Sequence, residues 1–273
     1  MISPDDALLA ETTDGVRIHS QTWAGGDNGH FLFVPGLGAD SSQFAADAQH
    51  FADLGYSSTI ISMRGHGLST APTPLTRKTL TVEKMAQDLG HLIDCCADKS
   101  VHVVGNSLGG LVALHAAHDR PDKIVSLAIF GTTLHLNFPP GIAFAQYVIG
   151  RTMGVERLAG IVAKNATRQD RARDVLLRMY RAVDLGVTYR IQQNIRKYDY
   201  REIAADLAVP VMLLRGEHDK DINRNLASTL ALWANNDQFE VKELADAGHF
   251  ANLDQPDAFR KALAEFVRRV PTG

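Results

Sequence analysis

Cysteine, tryptophan and long apolar runs are all scarce in this chain. Its 273 residues hold 2 cysteines and 2 tryptophans. Cys95 and Cys96 stand side by side on one expected helix, where neighbouring side chains leave on different faces, so a disulfide between them is not expected. Both are read as helix-packing residues, a pattern that suits a reducing compartment. No apolar run reaches the length that spans a bilayer, and the opening Met1-Ile2-Ser3-Pro4-Asp5-Asp6 has neither the basic nor the apolar region of a secretory signal. The expected location is therefore the cytoplasm, with no membrane as partner.

Blocks of basic charge are missing as well. The formal net charge is −3, and the basic residues between Arg168 and Arg181 alternate with Asp170 and Asp174, the pattern of a solvated helix face. Nothing here would track a phosphate backbone, so nucleic acid is not expected as a partner. The expected partner is a small molecule, and the oligomeric state has no signature in the sequence. What the chain does have is 45% apolar and 22% charged residues, enough to bury one substantial core.

Leu8 to Glu11 and Val16 to Trp23 read as strands around the turn Asp14-Gly15, followed by a buried strand, His30-Phe31-Leu32-Phe33-Val34. Ser41 to Leu54 has helical spacing and stops at Gly55. Ser58 to Met63 is a further strand, and Val82 to Cys96 a further helix. The strand from Val101 meets the turn Gly105 to Gly109, the next helix ends near Pro121, and Ile124 to Phe130 is again a strand. This alternation predicts a mostly parallel sheet, eight-stranded in all, with helices on both faces. From residue 134 to 206 the rhythm breaks into helical patterns with no confident strand, which predicts a helical cap inserted into a core made of residues 1–133 and 207–273. Strand Pro210 to Arg215, a helix over Ile222 to Trp233, strand Phe239 to Leu244 and a final amphipathic helix with Phe259, Ala262, Leu263, Phe266 and Val267 on one stripe complete the core.

The most informative stretch is Gly105-Asn106-Ser107-Leu108-Gly109, a G-x-S-x-G turn between strand and helix. A serine at the apex of so sharp a turn has strained backbone angles, and residues two before and two after it must lack a Cβ. The turn projects the Ser107 hydroxyl and aims the first amides of the helix at the reacting atom, with the Leu108 N–H as a first oxyanion donor. A glycine-rich turn with a solvent-facing serine has the same pentapeptide, so the rest of the chain must decide.

Serine chemistry at neutral pH needs a base and a group to orient it. Gly248-His249-Phe250 follows the last expected strand, and Gly216-Glu217-His218-Asp219 follows the one before, which suggests the set Ser107, Asp219, His249. Asp221 is a close rival to Asp219; Glu217 and His218 read as structural or rim residues. His66 reads as a structural hydrogen-bonding residue, and His115 with His118 would be half a metal site without a second pair of ligands.

With these motifs in order, the chain resembles the α/β-hydrolase family, whose triad runs serine, acid, histidine at strand ends. The resemblance covers the elbow, the glycine turn at Gly36, the Arg64-Gly65-His66-Gly67 turn, the cap, the Gly216 to Asp219 turn and the Gly248-His249 loop. It implies Ser107 as nucleophile, His249 as base and then acid, Asp219 as its orienting carboxylate, and the Leu37 N–H as second oxyanion donor facing Leu108. Gly36, Phe138, Phe144, Tyr147 and Phe250 are the candidate substrate contacts. No metal and no organic cofactor is required by this chemistry. Two departures stand out: Pro35-Gly36 replaces the His-Gly of many relatives, and Ser62 stands where they often carry aspartate before the arginine turn, from which a local structural difference is expected. The implied activity is hydrolysis of a carboxylic ester or lactone of small to medium hydrophobic character. Gly105-Asn106-Ser107-Leu108-Gly109-Gly110 is also similar to the elbow of carbon–carbon bond hydrolases of ring-cleavage products, although Phe250 replaces their tryptophan after the histidine and their longer glycine-rich oxyanion loop is missing. A third reading is a hydrolase-fold receptor that binds a small ligand and signals.

Overall fold

The fold was analysed in a computed structural model that describes residues 5–95, 101–139 and 141–270. Cys96 and Pro140, singled out in the sequence, lie outside them. The amino-terminal strands β1 (Asp5–Glu11) and β2 (Arg17–Trp23) form an antiparallel hairpin, and β2 pairs antiparallel with β4 (Ser57–Ile61). From there the sheet is parallel through β3 (His30–Val34), β5 (Val101–Asn106), β6 (Ile124–Phe130), β9 (Val211–Gly216) and β10 (Phe239–Leu244). The order across the eight strands is β1-β2-β4-β3-β5-β6-β9-β10, so β3 and β5 lie side by side at the centre.

Alternation along β3 explains the layering, because successive side chains leave on opposite faces. Phe31 and Phe33 join the core beneath α1 (Ala45–Asp53) and the last helix, α12 (Pro256–Val267), where the stripe Phe259, Ala262, Leu263, Phe266 and Val267 is buried as expected. Leu32 and Val34 join the opposite core beneath α2 (Val82–Cys95) and α3 (Leu108–Asp119). Each fully buried Phe or Leu contributes about 1.5–3 kcal/mol of transfer free energy, and both faces of the central strands collect it. The Ser107 turn, at the carboxyl end of β5, therefore rests on a part of the sheet covered on both faces.

Between β6 and β9 the chain leaves the sheet for four helices, α4 (Ile142–Met153), α5 (Val155–Ala166), α6 (Asp170–Arg181) and α7 (Leu185–Ile195). The sequence showed no strand here, yet β7 (His135–Asn137) and β8 (Lys197–Asp199) pair antiparallel at the foot of the excursion. Three residues are too few to display a period of two, and their pairing is remote in sequence. A short α8 (Arg201–Ala205) leads back to β9. The expected helix from Ile222 to Trp233 is in fact two, α9 (Lys220–Asn223) and α10 (Ala227–Trp233), and α11 (Ala251–Asp254) precedes α12. Cys95 corrects its packing assignment: it is exposed, at the end of α2. Among the described residues, no helix is long and apolar enough to cross a membrane.

Candidate active site

Ser107 occupies the junction of β5 and α3 with φ 53° and ψ −116°, a left-handed conformation for a residue with a Cβ. Its surroundings dictate the glycines on either side. A Cβ on Gly105 would lie 2.5 Å from the Gly109 carbonyl oxygen, and one on Gly109 would lie 2.1 Å from that of Val34. The turn is tied down by the Ser107 N–H donating to the Phe130 carbonyl at 2.8 Å and the Thr132 hydroxyl donating to the Ser107 carbonyl at 2.9 Å. Leu108 is the first residue of α3, so its N–H has no acceptor within the helix.

His249 follows β10, in the loop before α11. Its Nδ1 pairs with Asp219 Oδ2 at 2.8 Å, and Asp219 is buried at the start of α9. The rival Asp221 also lines the cavity, but it is exposed and pairs with Arg224 at 3.7 Å, whereas the hydrogen bond to His249 comes from Asp219. Burial by itself would lower the His249 pKa, but the charge of Asp219 and its hydrogen bond, with Asp221 and Asp254 adding to them, leave it raised above 6.5. The imidazolium that forms when a base accepts a proton is thus stabilised where it stands.

The turn after β3 supplies Gly36 and Leu37. The Gly36 N–H is engaged by Gln43 Oε1 at 3.0 Å, and the Leu37 carbonyl accepts the Tyr180 hydroxyl at 3.0 Å, a bond from α6 to this turn. Gln43 is buried, and its Nε2 donates to Asn106 Oδ1 at 3.1 Å; Asn106 in turn donates to the His249 carbonyl at 3.0 Å. The Gly36-Leu37 turn, the Ser107 turn and the His249 loop are thereby joined by two side-chain amides. Neither role was read from the sequence. The signal for Gln43 was a polar residue on the inward side of an apolar pattern, beside Phe44, Ala48 and Phe51.

A cavity of about 450 Å³ opens over these groups and is lined by Ser107, His249, Asp219, Leu37 and Leu108 on the sheet side. Phe138 and Tyr147 line it from the excursion, together with Leu136, Val162 and Tyr189. Phe144 does not line it; this ring is 57% exposed on α4 and tilts against Tyr189 at 6.5 Å, so the substrate contact expected of it is not made here. Gly36 also stands behind the lining, against Asn106. Phe250 reaches the cavity but is 2% exposed and belongs to a cluster with Ala39, Ala163, Leu176 and Met179, which seats α5 and α6 on the core.

The remaining candidates have structural partners. Arg64 is buried and held by Asp88 at 2.6 Å and Asp14 at 2.9 Å, which anchors the Arg64-Gly65-His66-Gly67 turn. His66 Nδ1 lies 3.1 Å from the Arg64 carbonyl, and Ser62 packs against Gly67, whose added Cβ would lie 3.0 Å from its Oγ. His115 Nδ1 bonds the Leu111 carbonyl in its own helix and His118 bonds Asp119. Glu217, His218 and Asp246 gather at the rim, where Glu217 accepts the Asp246 N–H at 3.0 Å and links the acid turn to the histidine loop.

Known proteins to which this chain is similar include the dihydrolipoyllysine-residue acetyltransferase component of the acetoin cleaving system of Cupriavidus necator, 26% identical over 93% of this chain and 67% of its own length. The 2-hydroxy-6-oxononadienedioate/2-hydroxy-6-oxononatrienedioate hydrolase of a Pseudomonas species is 23% identical over 92% of each chain. Among solved structures, the enol-lactonase of Burkholderia xenovorans superposes with a TM-score of 0.80 at 23% identity, over 93% of this chain and 97% of its own. The model of the alpha/beta hydrolase family matches residues 31–262. With the sheet order and the match spanning most of its length, this chain belongs to the alpha/beta hydrolase family.

Proposed function

We propose that the protein hydrolyses a carboxylic ester or lactone of small to medium hydrophobic character through an acyl-enzyme on Ser107. The observation that carries this reading is the His249 to Asp219 pair at 2.8 Å on the wall of the same cavity as a serine with φ 53°. In the proposed sequence His249 takes the Ser107 proton as the hydroxyl oxygen attacks the substrate carbonyl. The oxyanion is received by the N–H groups of Leu37 and Leu108, and the leaving group departs with the proton from His249. Water, deprotonated by the same imidazole, then releases the acid. Asp219 fixes the ring so that Nε2 faces the serine and stabilises the imidazolium. The four helices above serve as a cap that limits water and shapes the acyl site. The match to the alpha/beta hydrolase family supports hydrolysis as the reaction class, and the enol-lactonase neighbour shares the fold that would carry it.

Carbon–carbon hydrolysis is the second reading, favoured by the Gly105 to Gly110 turn and the relative that acts on ring-cleavage products. Both are tested by incubating wild type and Ser107→Ala with p-nitrophenyl acetate, butyrate and octanoate, reading nitrophenolate and intact mass. Turnover with an acyl adduct on Ser107 is expected, and its loss in Ser107→Ala. Turnover that survives the substitution would overturn the serine mechanism; absence of both turnover and adduct would move the assignment to carbon–carbon bonds or to ligand binding.

A further inference from the structure

The loop that carries His249 is held from three sides, and one of them is the helical excursion itself. The joint between α5 and α6 is Ala166-Thr167-Arg168. Its Ala166 carbonyl accepts the His249 N–H at 3.2 Å, and the Thr167 hydroxyl donates to Asp254 Oδ1 in a short hydrogen bond. Asp254 Oδ2 accepts the Gly248 N–H at 2.6 Å. Thr167 and Asp254 are 3% and 7% exposed, so this is a buried polar joint, where hydrogen bonds are short of competing water. The approach is close enough to require glycine at 248: a Cβ there would lie 2.6 Å from the Ala166 carbonyl oxygen and 3.1 Å from Asp254 Oδ2.

Three features set this joint apart from ordinary packing. Asp254 spends both carboxylate oxygens on it, one on each side of the contact. Thr167 ends α5 and, through Oγ1, also accepts the Gln169 N–H at 2.9 Å, so one hydroxyl orders the turn into α6 and the contact with Asp254. Ala166 and its neighbour Asn165 line the cavity, which puts the joint one residue from whatever fills it.

We propose that Thr167 and Asp254 are positioning residues for His249, coupling the α5–α6 joint to the histidine loop. The proposal rests on the reading of Ser107 and His249 as the reacting pair. Neither residue touches the reacting atoms; they act by fixing the main chain at Gly248 and His249, and so the imidazole's approach to Ser107. Misplacement of a base by an ångström costs as much as a hundredfold in rate.

The test compares Thr167→Val, which keeps shape and loses the hydroxyl, with Thr167→Ser, which restores it. Two readouts are taken on the full chain. The first is amide hydrogen exchange at Gly248 and His249, resolved by NMR, together with the Nδ1 proton resonance of His249. Exchange is expected to rise at least tenfold in Thr167→Val and to return to the wild-type rate in Thr167→Ser, with amides of β5 unchanged. The second is p-nitrophenyl butyrate hydrolysis, where kcat is expected to fall about tenfold and KM to move less than twofold in Thr167→Val alone. Unchanged exchange at both amides would overturn the proposal whatever the activity, and a fall in protection spread evenly over the protein would make Thr167 merely structural. Because exchange is measured without substrate, a chain inactive on every ester would sink the proposed reaction and leave this test intact.

Discussion

The side-chain amide of Asn106 donates to the main-chain carbonyl of His249 at 3.0 Å and to that of Phe130 at 3.2 Å. The residue preceding Ser107 thus holds the loop of His249. Its own carbonyl oxygen is occupied by Gln43, which in turn holds the Gly36 N–H. Gln43→Met keeps the length of the side chain and strands one buried acceptor and one buried donor, each costing about 1–3 kcal/mol. Thermal unfolding should therefore start several degrees lower, at about 2–4 °C for each kcal/mol. The displaced oxyanion turn should lower kcat for p-nitrophenyl butyrate roughly tenfold. An unchanged kcat beside the lowered melting temperature would confine Gln43 to stability.

Ser107 supplies a second prediction, because its φ of 53° is a conformation glycine adopts freely. A strained residue of this kind costs about 1–3 kcal/mol, whereas glycine's extra freedom in the unfolded chain costs about 0.5–1 kcal/mol. Relief should win. Ser107→Gly is expected to melt above Ser107→Ala, the reverse of the usual order, while both lose turnover by about a thousandfold or more. Calorimetry of the two variants decides it, and a lower melting temperature for the glycine variant would show the turn to be unstrained.

The histidine yields a pH prediction with a definite sign. Only neutral imidazole accepts the serine proton, so kcat/KM should rise with pH through a midpoint above 6.5, the direction in which Asp219 drives His249. Asp219→Asn removes that charge, leaves burial opposed only by the smaller contributions of Asp221 and Asp254, and should carry the midpoint downward while reducing the plateau by up to about ten thousandfold. Asp221→Asn, a change at an exposed residue facing Arg224, should move either quantity far less. Stability runs the other way. A group whose folded pKa is raised stabilises the protein fully below its unfolded value and loses that contribution as pH climbs through the folded one. Activity and melting temperature are therefore expected to diverge across the same interval, and parallel curves would assign the limb to another group.

What the sequence made legible divides by distance along the chain. The nucleophile turn is a pentapeptide with its own steric logic, and the Asp219 and Gly248-His249 turns sit directly after strands whose apolar runs were plain. The acid was ambiguous between two carboxylates two residues apart, and only the fold turns one toward the imidazole. Gln43 reaches Asn106 across 63 positions and Thr167 reaches Asp254 across 87, separations at which no local pattern carries information. The aromatic set shows the same limit: Phe144 and Tyr147 are three residues apart on one helix, and the small difference in angle leaves one ring in solvent and the other at the cavity.

That difference makes the acyl site testable. Val162 on α5 is half-buried and faces the cavity, with open volume before it, whereas Phe144 faces solvent from α4. A phenyl ring at 162 would take cavity volume that a long acyl chain would otherwise fill. Val162→Phe is expected to raise KM for p-nitrophenyl octanoate tenfold or more and to leave acetate within about twofold, since each excluded methylene forfeits about 0.8 kcal/mol of burial. Phe144→Ser should leave the chain-length profile as it is, and removal of so exposed a ring should improve solubility. Steady-state kinetics over the three esters separates the two variants. Should Phe144→Ser shift the octanoate KM and Val162→Phe not, the acyl chain lies along the outer face of α4, and the cavity above Ser107 holds the leaving group instead.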